Sequence, residues 1–258
     1  MGIMNLTPDS FYDGGKFSGI DNTLAKVEQM LLEGASVIDL GAVSTRPGAA
    51  EVSQTEEMER LLPSLRAIRI RFPGCILSVD TFRPVVASAA VSYGADMIND
   101  IYGGRYEEDM FSTIASLNVP YVMMHMKGHP QNMQENPSYS DVVAEIIYFF
   151  EQQTAKCRMS GVQQIIVDPG FGFGKTDDHN YLLLSGLDEF KSLGYPVMVG
   201  LSRKSMINRI LKTGPEDALN GTTILNTIAL LKGADILRVH DVKEAIQAIR
   251  LVGMLGKH

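Results

Sequence analysis

Short apolar runs alternate with amphipathic stretches along the whole of this 258-residue chain, and each run stops at a polar residue or a turn. The runs cover residues 2–5, 36–40, 75–80, 96–100, 120–125, 164–168, 196–201 and 235–239. Most are solid rather than alternating, the pattern of parallel strands buried on both faces. Helical spacing fills the gaps. Asp21 is placed to cap a helix carrying Leu24, Val27 and Leu31. Ser53 with Glu56 reads as a capping box. Ser140 precedes Val142, Val143, Ile146, Ile147, Phe149 and Phe150, too apolar a set for an exposed helix, and Val242, Ala245, Ile246 and Ile249 form the last stripe. Eight strand-then-helix units in ~250 residues is the arithmetic of a (β/α)8 TIM barrel. The expectation is therefore an α/β fold with one domain over residues 1–258. A doubly wound open sheet is the rival, with fewer strands and one ligand crevice.

The ends of the runs point to the site. They are Asn5, Asp39, Asp80, Asn99 with Asp100, His125, Asp168, Ser202 to Lys204, and Arg238 to His240. In a barrel these converge on one mouth, where active sites lie. A single strand-end carboxylate is ordinarily a cap or turn residue; a full ring of polar ends asks for more.

Composition narrows the partners. The chain is 45% hydrophobic and 21% charged, which suits a globular protein with a large core. No apolar run reaches the ~20 residues of a membrane span. Met1 leads directly into GIMNLTPDS, without the basic stretch and apolar core of a signal peptide. Cys75 and Cys157 make no disulfide framework, so a reducing cytoplasm is expected. With 30 acidic and 23 basic residues the net charge is −7, which argues against a nucleic-acid surface. Small anionic substrates remain open, since they need only a few local cations.

The first loop, GIMNLTPDSFYDGG, offers Asn5, Asp9, Ser10 and Asp13 beside the mouth. The Asn5 oxygen suits a hard cation or a phosphate-bound water. The second, DLGAVSTRPG, brings Thr45 and Arg46 before Pro47. That Arg is either a bidentate anchor for an anion or a solvated surface residue. DPGFGFGKT approaches a phosphate-binding P-loop, but the required first Gly is Pro169. A Gly-rich turn allowing close backbone approach is the better account. His125 and His129 have the spacing of a zinc pair, but they follow a strand, Pro130 interrupts any helix, and no HExxH glutamate is present. His179 and His258 read as surface or terminal residues.

GIMNLTPDSFYDGG, VSTRPG, SVDTF, MINDIYG, VMMHMKGHPQNMQ, IVDPGFGFGKT, GLSRKSMI and RVHDV stand in order from end to end. Together they resemble the dihydropteroate synthase family over nearly the whole chain. The resemblance implies a barrel that joins 6-hydroxymethyl-7,8-dihydropterin diphosphate to p-aminobenzoate, with Mg²⁺, releasing diphosphate. It also implies a sulfonamide target and a homodimer, with no nucleic-acid or membrane partner. By resemblance Asp80, Asn99, Asp168 and Lys204 hold the pterin, flanked by Ile101, Met124 and Phe173. Carboxylates accept from the ring NH and amino groups, and an Asn amide does both. Without the family, Met124 reads equally well as core filler. Asn5 contributes the metal contact, and Asn5, Thr45, Arg46, Arg238 and His240 take the diphosphate. Phe11, Pro47 and Ser205 take p-aminobenzoate, with the first two loops closing over the site. Lys204, Arg238, His240 and Asp80 form the catalytic set.

Two rivals share the barrel and pocket. One is a pterin-dependent methyltransferase working with a corrinoid protein; the other is a non-catalytic pterin-binding homologue. Two departures from the family stand out. Only Met1 precedes GIMN, so the first strand is expected to be weakly supported. Tyr12 stands where Ser is common.

Overall fold

In the computed structural model, residues 1–6, 16–43, 52–129 and 133–256 are described. All eight expected runs form strands. These are β1 (Gly2–Asn5), β2 (Val37–Gly41), β3 (Ile76–Asp80), β4 (Met97–Asp100), β5 (Tyr121–Met124), β6 (Ile165–Asp168), β7 (Met198–Val199) and β8 (Ile236–Leu237), the last two trimmed to two residues each. Helices alternate with them: α1 (Lys16–Leu32), α2 (Gln54–Arg71), α3 (Pro84–Ser92), α4 (Met110–Leu117), α5 (Val142–Met159) and α6 (Asp177–Ser185). After β7 come α7 (Ser205–Leu211) and α8 (Leu219–Leu231), and α9 (Val242–Leu255) follows β8.

β1 to β6 pair in parallel in strict sequence order, and β7 pairs with β8. Two single bridges close the ring, Val167 to Val197 and Gly2 to Val239. Ile3 N–H donates to Val239 O, and Val239 N–H donates to Met1 O, both at 2.9 Å. Sequential order with closure is the barrel, not the doubly wound sheet, whose order reverses at a switch point. It also corrects the expectation of a weakly held β1, which has a neighbour on each side.

Side chains alternate between the two faces of each strand. Ile38, Leu40, Leu77, Val79, Ile98 and Val167 face the helices and join Val86, Ile114, Ile146 and Phe150 in the main core. The inward set begins apolar: Met97, Val122, Ile166 and Met198 form a separate buried cluster with Met1 and Ile236 against it. Two residues further along each strand, the inward positions become Asn99, Met124 and Asp168. Apolar residues below and outside explain why the runs read as solid; polar ones at the top make the site.

Two helix starts differ from the expectation, and a third shows its own cap. α1 begins at Lys16, so Asp21 lies inside the helix and caps nothing. Ser53 Oγ accepts from Glu56 N–H at 3.2 Å, but the Glu56 carboxylate pairs with Arg60, leaving the box half formed. α5 is capped by Asp141, whose Oδ1 accepts from Val143 and Ala144 N–H at 3.0 Å each. A carboxylate at the helix N-terminus is favoured by the positive end of the helix dipole.

Candidate active site

Asp80 and Asn99 are register partners on β3 and β4, and Met124 and Asp168 on β5 and β6. These side chains therefore rise at the same end of the barrel on rigid neighbouring strands. Arg238, just past β8, reaches across to them. Its Nε donates to Asp39 Oδ2 at 2.6 Å, and Nη2 donates to Asp80 Oδ2 at 2.7 Å. Asn99 Nδ2 donates to the same Asp39 oxygen at 3.2 Å. Asp39 is fully buried. Sequence reading took it as a strand ending and left it out of the site. Its position two residues before the inward Gly41, within an otherwise apolar strand, was the available signal. Asp100 is the opposite case: it faces outward and accepts from Tyr121 Oη at 2.6 Å and from Tyr102 and Gly104 N–H.

The charges in the pocket are held against burial. Desolvation pushes the Asp80 carboxyl up to about 7; Arg238 opposes this, and the Asp39 charge adds to it. Burial also raises Asp168, opposed by Lys204 and by Gly170 N–H, which donates to Asp168 Oδ1 at 2.8 Å. Lys204 is lowered by burial to about 8, with Asp168 pulling the other way. For Arg238, burial is outweighed by Asp39 and Asp80, so its proton is held more tightly than usual.

One wall of the pocket is apolar. Ile101 and Met124 cluster with Phe82, Met126 and Met133, and Phe173, Tyr102 and Val43 pack against them. Lys204 Nζ lies 4.7 Å from the Phe173 ring centroid and donates to Phe171 O. The fold thus brings together Asp80, Asn99, Ile101, Met124, Asp168, Phe173 and Lys204. A flat heterocycle with several NH groups on one edge matches such a slot, since the edge meets carboxylates and the face meets apolar side chains.

The expected anion cluster is arranged differently. Arg238 turns inward to two carboxylates, because buried carboxylates beside it are stronger partners than solvent. His240 is exposed and lies with Nδ1 3.2 Å from Ser202 Oγ. The Arg203 guanidinium clamps Asp241 through two bonds at 2.9 and 2.8 Å, tying the loop after β7 to the loop after β8. Ser205 is exposed and opens α7; the capping position belongs to Lys204, not to Ser205. Asn5 is exposed at the end of β1. Phe11, Thr45, Arg46 and Pro47 lie outside the described residues, as do Asp9, Ser10, Tyr12, Asp13 and His258. His179, read as a surface residue, forms a reciprocal capping box with Thr176 at the start of α6. His125 Nδ1 faces Lys175 Nζ at 3.0 Å, a cation that works against a zinc ion on this ring.

No group of three His, Cys, Asp or Glu side chains suited to a metal occurs among the described residues. Among the described residues, the oxygen that the family resemblance assigns to the metal is that of Asn5, exposed at the end of β1. Mg²⁺ keeps several waters and is often bound by one or two protein oxygens plus substrate phosphates. The donor set therefore fits a Mg²⁺ ion carried with a diphosphate, not one held in a protein cage.

Comparison with known proteins agrees with this architecture. The family model for pterin binding enzymes matches residues 1–240. The chain is 46% identical over 254 residues to the dihydropteroate synthase of Escherichia coli, covering 98% of this chain and 89% of that one. It is 47% identical over 244 residues to that of Haemophilus influenzae, covering 94% and 88%. The crystal structure of the Yersinia pestis dihydropteroate synthase with a sulfonamide drug superposes with a TM-score of 0.94 at 42% identity, covering 100% of this chain and 94% of that one. The Xanthomonas albilineans dihydropteroate synthase with 4-aminobenzoic acid gives 0.92 at 39%, covering 100% and 93%. With a matching barrel, a family model spanning most of the chain and relatives of this closeness, the chain belongs to the dihydropteroate synthase family of pterin-binding enzymes.

Proposed function

We propose that this protein is a transferase that condenses 6-hydroxymethyl-7,8-dihydropterin diphosphate with p-aminobenzoate to 7,8-dihydropteroate in folate biosynthesis. The observation that carries the reading is the set Asp80, Asn99 and Asp168 on neighbouring inward strand ends, beside the apolar wall of Ile101, Met124 and Phe173. Close relatives that bind 4-aminobenzoic acid and a sulfonamide support it. They also favour the synthase over the corrinoid-linked methyltransferase.

In the reaction the pterin methylene loses its C–O bond, whose electron pair leaves on the diphosphate. The amine nitrogen of p-aminobenzoate forms the new C–N bond and gives its proton to the departing anion or to solvent. An arylamine is neutral and nucleophilic near pH 7, so no strong base is required. Asp80 and Asp168 at the ring edge favour the electron-poor pterin that develops as diphosphate departs. Lys204 anchors the ring, Arg238 holds Asp39 and Asp80 in place beside it, and His240 at the mouth receives the leaving charge. Ser205 and the start of α7 face the p-aminobenzoate carboxylate. Mg²⁺, held by Asn5 and diphosphate oxygens, would supply further neutralisation of the leaving group. Substitution is dissociative and has no covalent enzyme intermediate; a pterin trapped on the protein during turnover would contradict this.

The direct test is turnover with both substrates and Mg²⁺, following dihydropteroate by mass. Product that disappears with a chelator is expected. Pterin binding without product would point to a silent homologue. The same preparation is expected to sediment as a homodimer. Ile224, Ile228 and Leu231 on α8 and Leu251, Met254 and Leu255 on α9 are exposed apolar residues on neighbouring helices. A monomer at micromolar concentration would leave that face unexplained.

No helix among the described residues is long and apolar enough to cross a membrane.

The charges predict a narrow pH optimum. kcat/KM for the pterin diphosphate rises as Asp80 ionises at about 7 and falls as Lys204 loses its proton at about 8. Asp80→Asn is expected to lose the acid limb and keep the alkaline one, which separates the enzyme from ionisation of the substrate. A flat profile between about pH 6 and pH 9 removes both assignments.

A further inference from the structure

Two motifs that carry no role above meet inside the protein. Lys175 is the lysine of the near P-loop segment, and His125 is the first of the paired histidines. Lys175 is 1% exposed. Its Nζ lies 3.0 Å from His125 Nδ1 and donates to the carbonyls of Gly170 at 2.9 Å and Phe173 at 3.1 Å. Three polar atoms thus surround the Lys175 nitrogen, while burial holds its pKa well below the usual lysine range and the Asp168 charge opposes that shift. Burial and the neighbouring Lys175 push the His125 imidazolium well down, and in the tautomer with its proton on Nε2 the neutral ring accepts at Nδ1. A P-loop turns its lysine outward to phosphate; this chain turns it inward to its own backbone.

What the lysine gathers is the turn of residues 170–174. Gly170 and Gly174 have φ of 70° and 63°. A Cβ at Gly170 would lie 1.9 Å from His125 O, and one at Gly174 would lie 2.1 Å from Lys127 O. The turn therefore rests directly on the backbone that leaves β5, with room for no side chain at either contact. On its other side it meets the pocket. Gly170 N–H binds Asp168, Phe171 O accepts from Lys204, and the Phe173 ring lies against the same ammonium. Lys175 sits beneath the turn and Lys204 above it.

We propose that Lys175 is a positioning residue for pterin binding: with His125 as its acceptor, it fixes the 170–174 turn so that Phe173, Asp168 and Lys204 are presented together to the ring. Lys175 touches no substrate and acts through the turn. The inference rests on the pterin reading of the pocket. It also implies a division of labour, because p-aminobenzoate docks away from the turn.

The test is Lys175→Met, which keeps the side-chain length and removes the donors. The Kd for 6-hydroxymethylpterin is expected to rise about tenfold or more, while the KM for p-aminobenzoate stays within about twofold. Amide exchange over residues 170–174 is expected to accelerate. A second change, Phe173→Leu, should be non-additive with it, since both weaken the same contact. Wild-type affinity in K175M, or an equal loss for both substrates, overturns the proposal. If K175M does not fold, His125→Gln and His125→Leu decide: glutamine retains an acceptor and should keep pterin affinity, leucine should lose it, and equal behaviour of the two overturns the proposal. A wild-type chain that binds no pterin defeats the functional reading; a wild-type chain that binds it beside an equally tight K175M defeats only the role of Lys175.

Discussion

Arg238→Met is expected to remove turnover and to lower folding stability by about 3–5 kcal/mol, the cost of leaving buried charge unpaired. Arg238 holds Asp39, whose side chain is 0% exposed, and Asp80, at 15%. Without the guanidinium, two carboxylates and the Asn99 amide share an enclosed space with no cation. The lost stability should depend on pH. Unpaired buried carboxylates bind protons more tightly in the folded chain than in the unfolded one. The folded state then carries the excess protons, and stability falls as pH rises. Urea denaturation of R238M should show the largest deficit near neutral pH and a smaller one near about pH 5. Adding Asp39→Asn removes one of the stranded charges and should recover part of the stability but no turnover. An R238M protein as stable as wild type would show that the Asp39–Arg238–Asp80 chain does not hold the barrel interior together.

Asp168→Asn carries the second large effect. The carboxylate anchors Gly170 N–H and faces the charge of Lys204. Asparagine has the same shape, but it offers one neutral oxygen where two charged ones stood. Hydrogen bonds to charged groups are worth about 1.5–3 kcal/mol each. Losing two such bonds to the pterin edge should cut kcat/KM for the pterin diphosphate by about 10³-fold. The KM for p-aminobenzoate should change by less than about threefold, because the proposed binding mode seats its carboxylate at the start of α7, away from Asp168. Steady-state kinetics with each substrate varied in turn checks both numbers. A variant with near-normal kcat/KM would move the pterin edge away from β6.

Much of this was legible in the chain. All eight strands stand where apolar runs end in polar residues, because parallel strands bury both faces and only their last inward positions open to the barrel mouth. Asp80, Asn99, Asp168 and Lys204 were recognisable on that basis and by family resemblance. Helix starts were less legible. Asp21, expected as a cap, lies within a helix that begins at Lys16, and α5 is capped by Asp141, because competing local hydrogen bonds differ by little energy. Partners across the barrel were not legible at all. Asp39 on β2 and Arg238 just past β8 are 199 residues apart in sequence, and only closure of the ring brings them together.

The sequence by itself determined the barrel and the end at which its polar strand endings gather, since strand periodicity and strand endings are local properties of the chain. Only the tertiary structure decided which charges answer each other. It turned Arg238 inward to Asp39 and Asp80, placed Lys204 against Phe173, and buried Lys175 on His125 beneath the Gly-rich turn. Those pairings follow from ring closure and burial, where a charge must find its partner among whatever residues the fold has placed within reach.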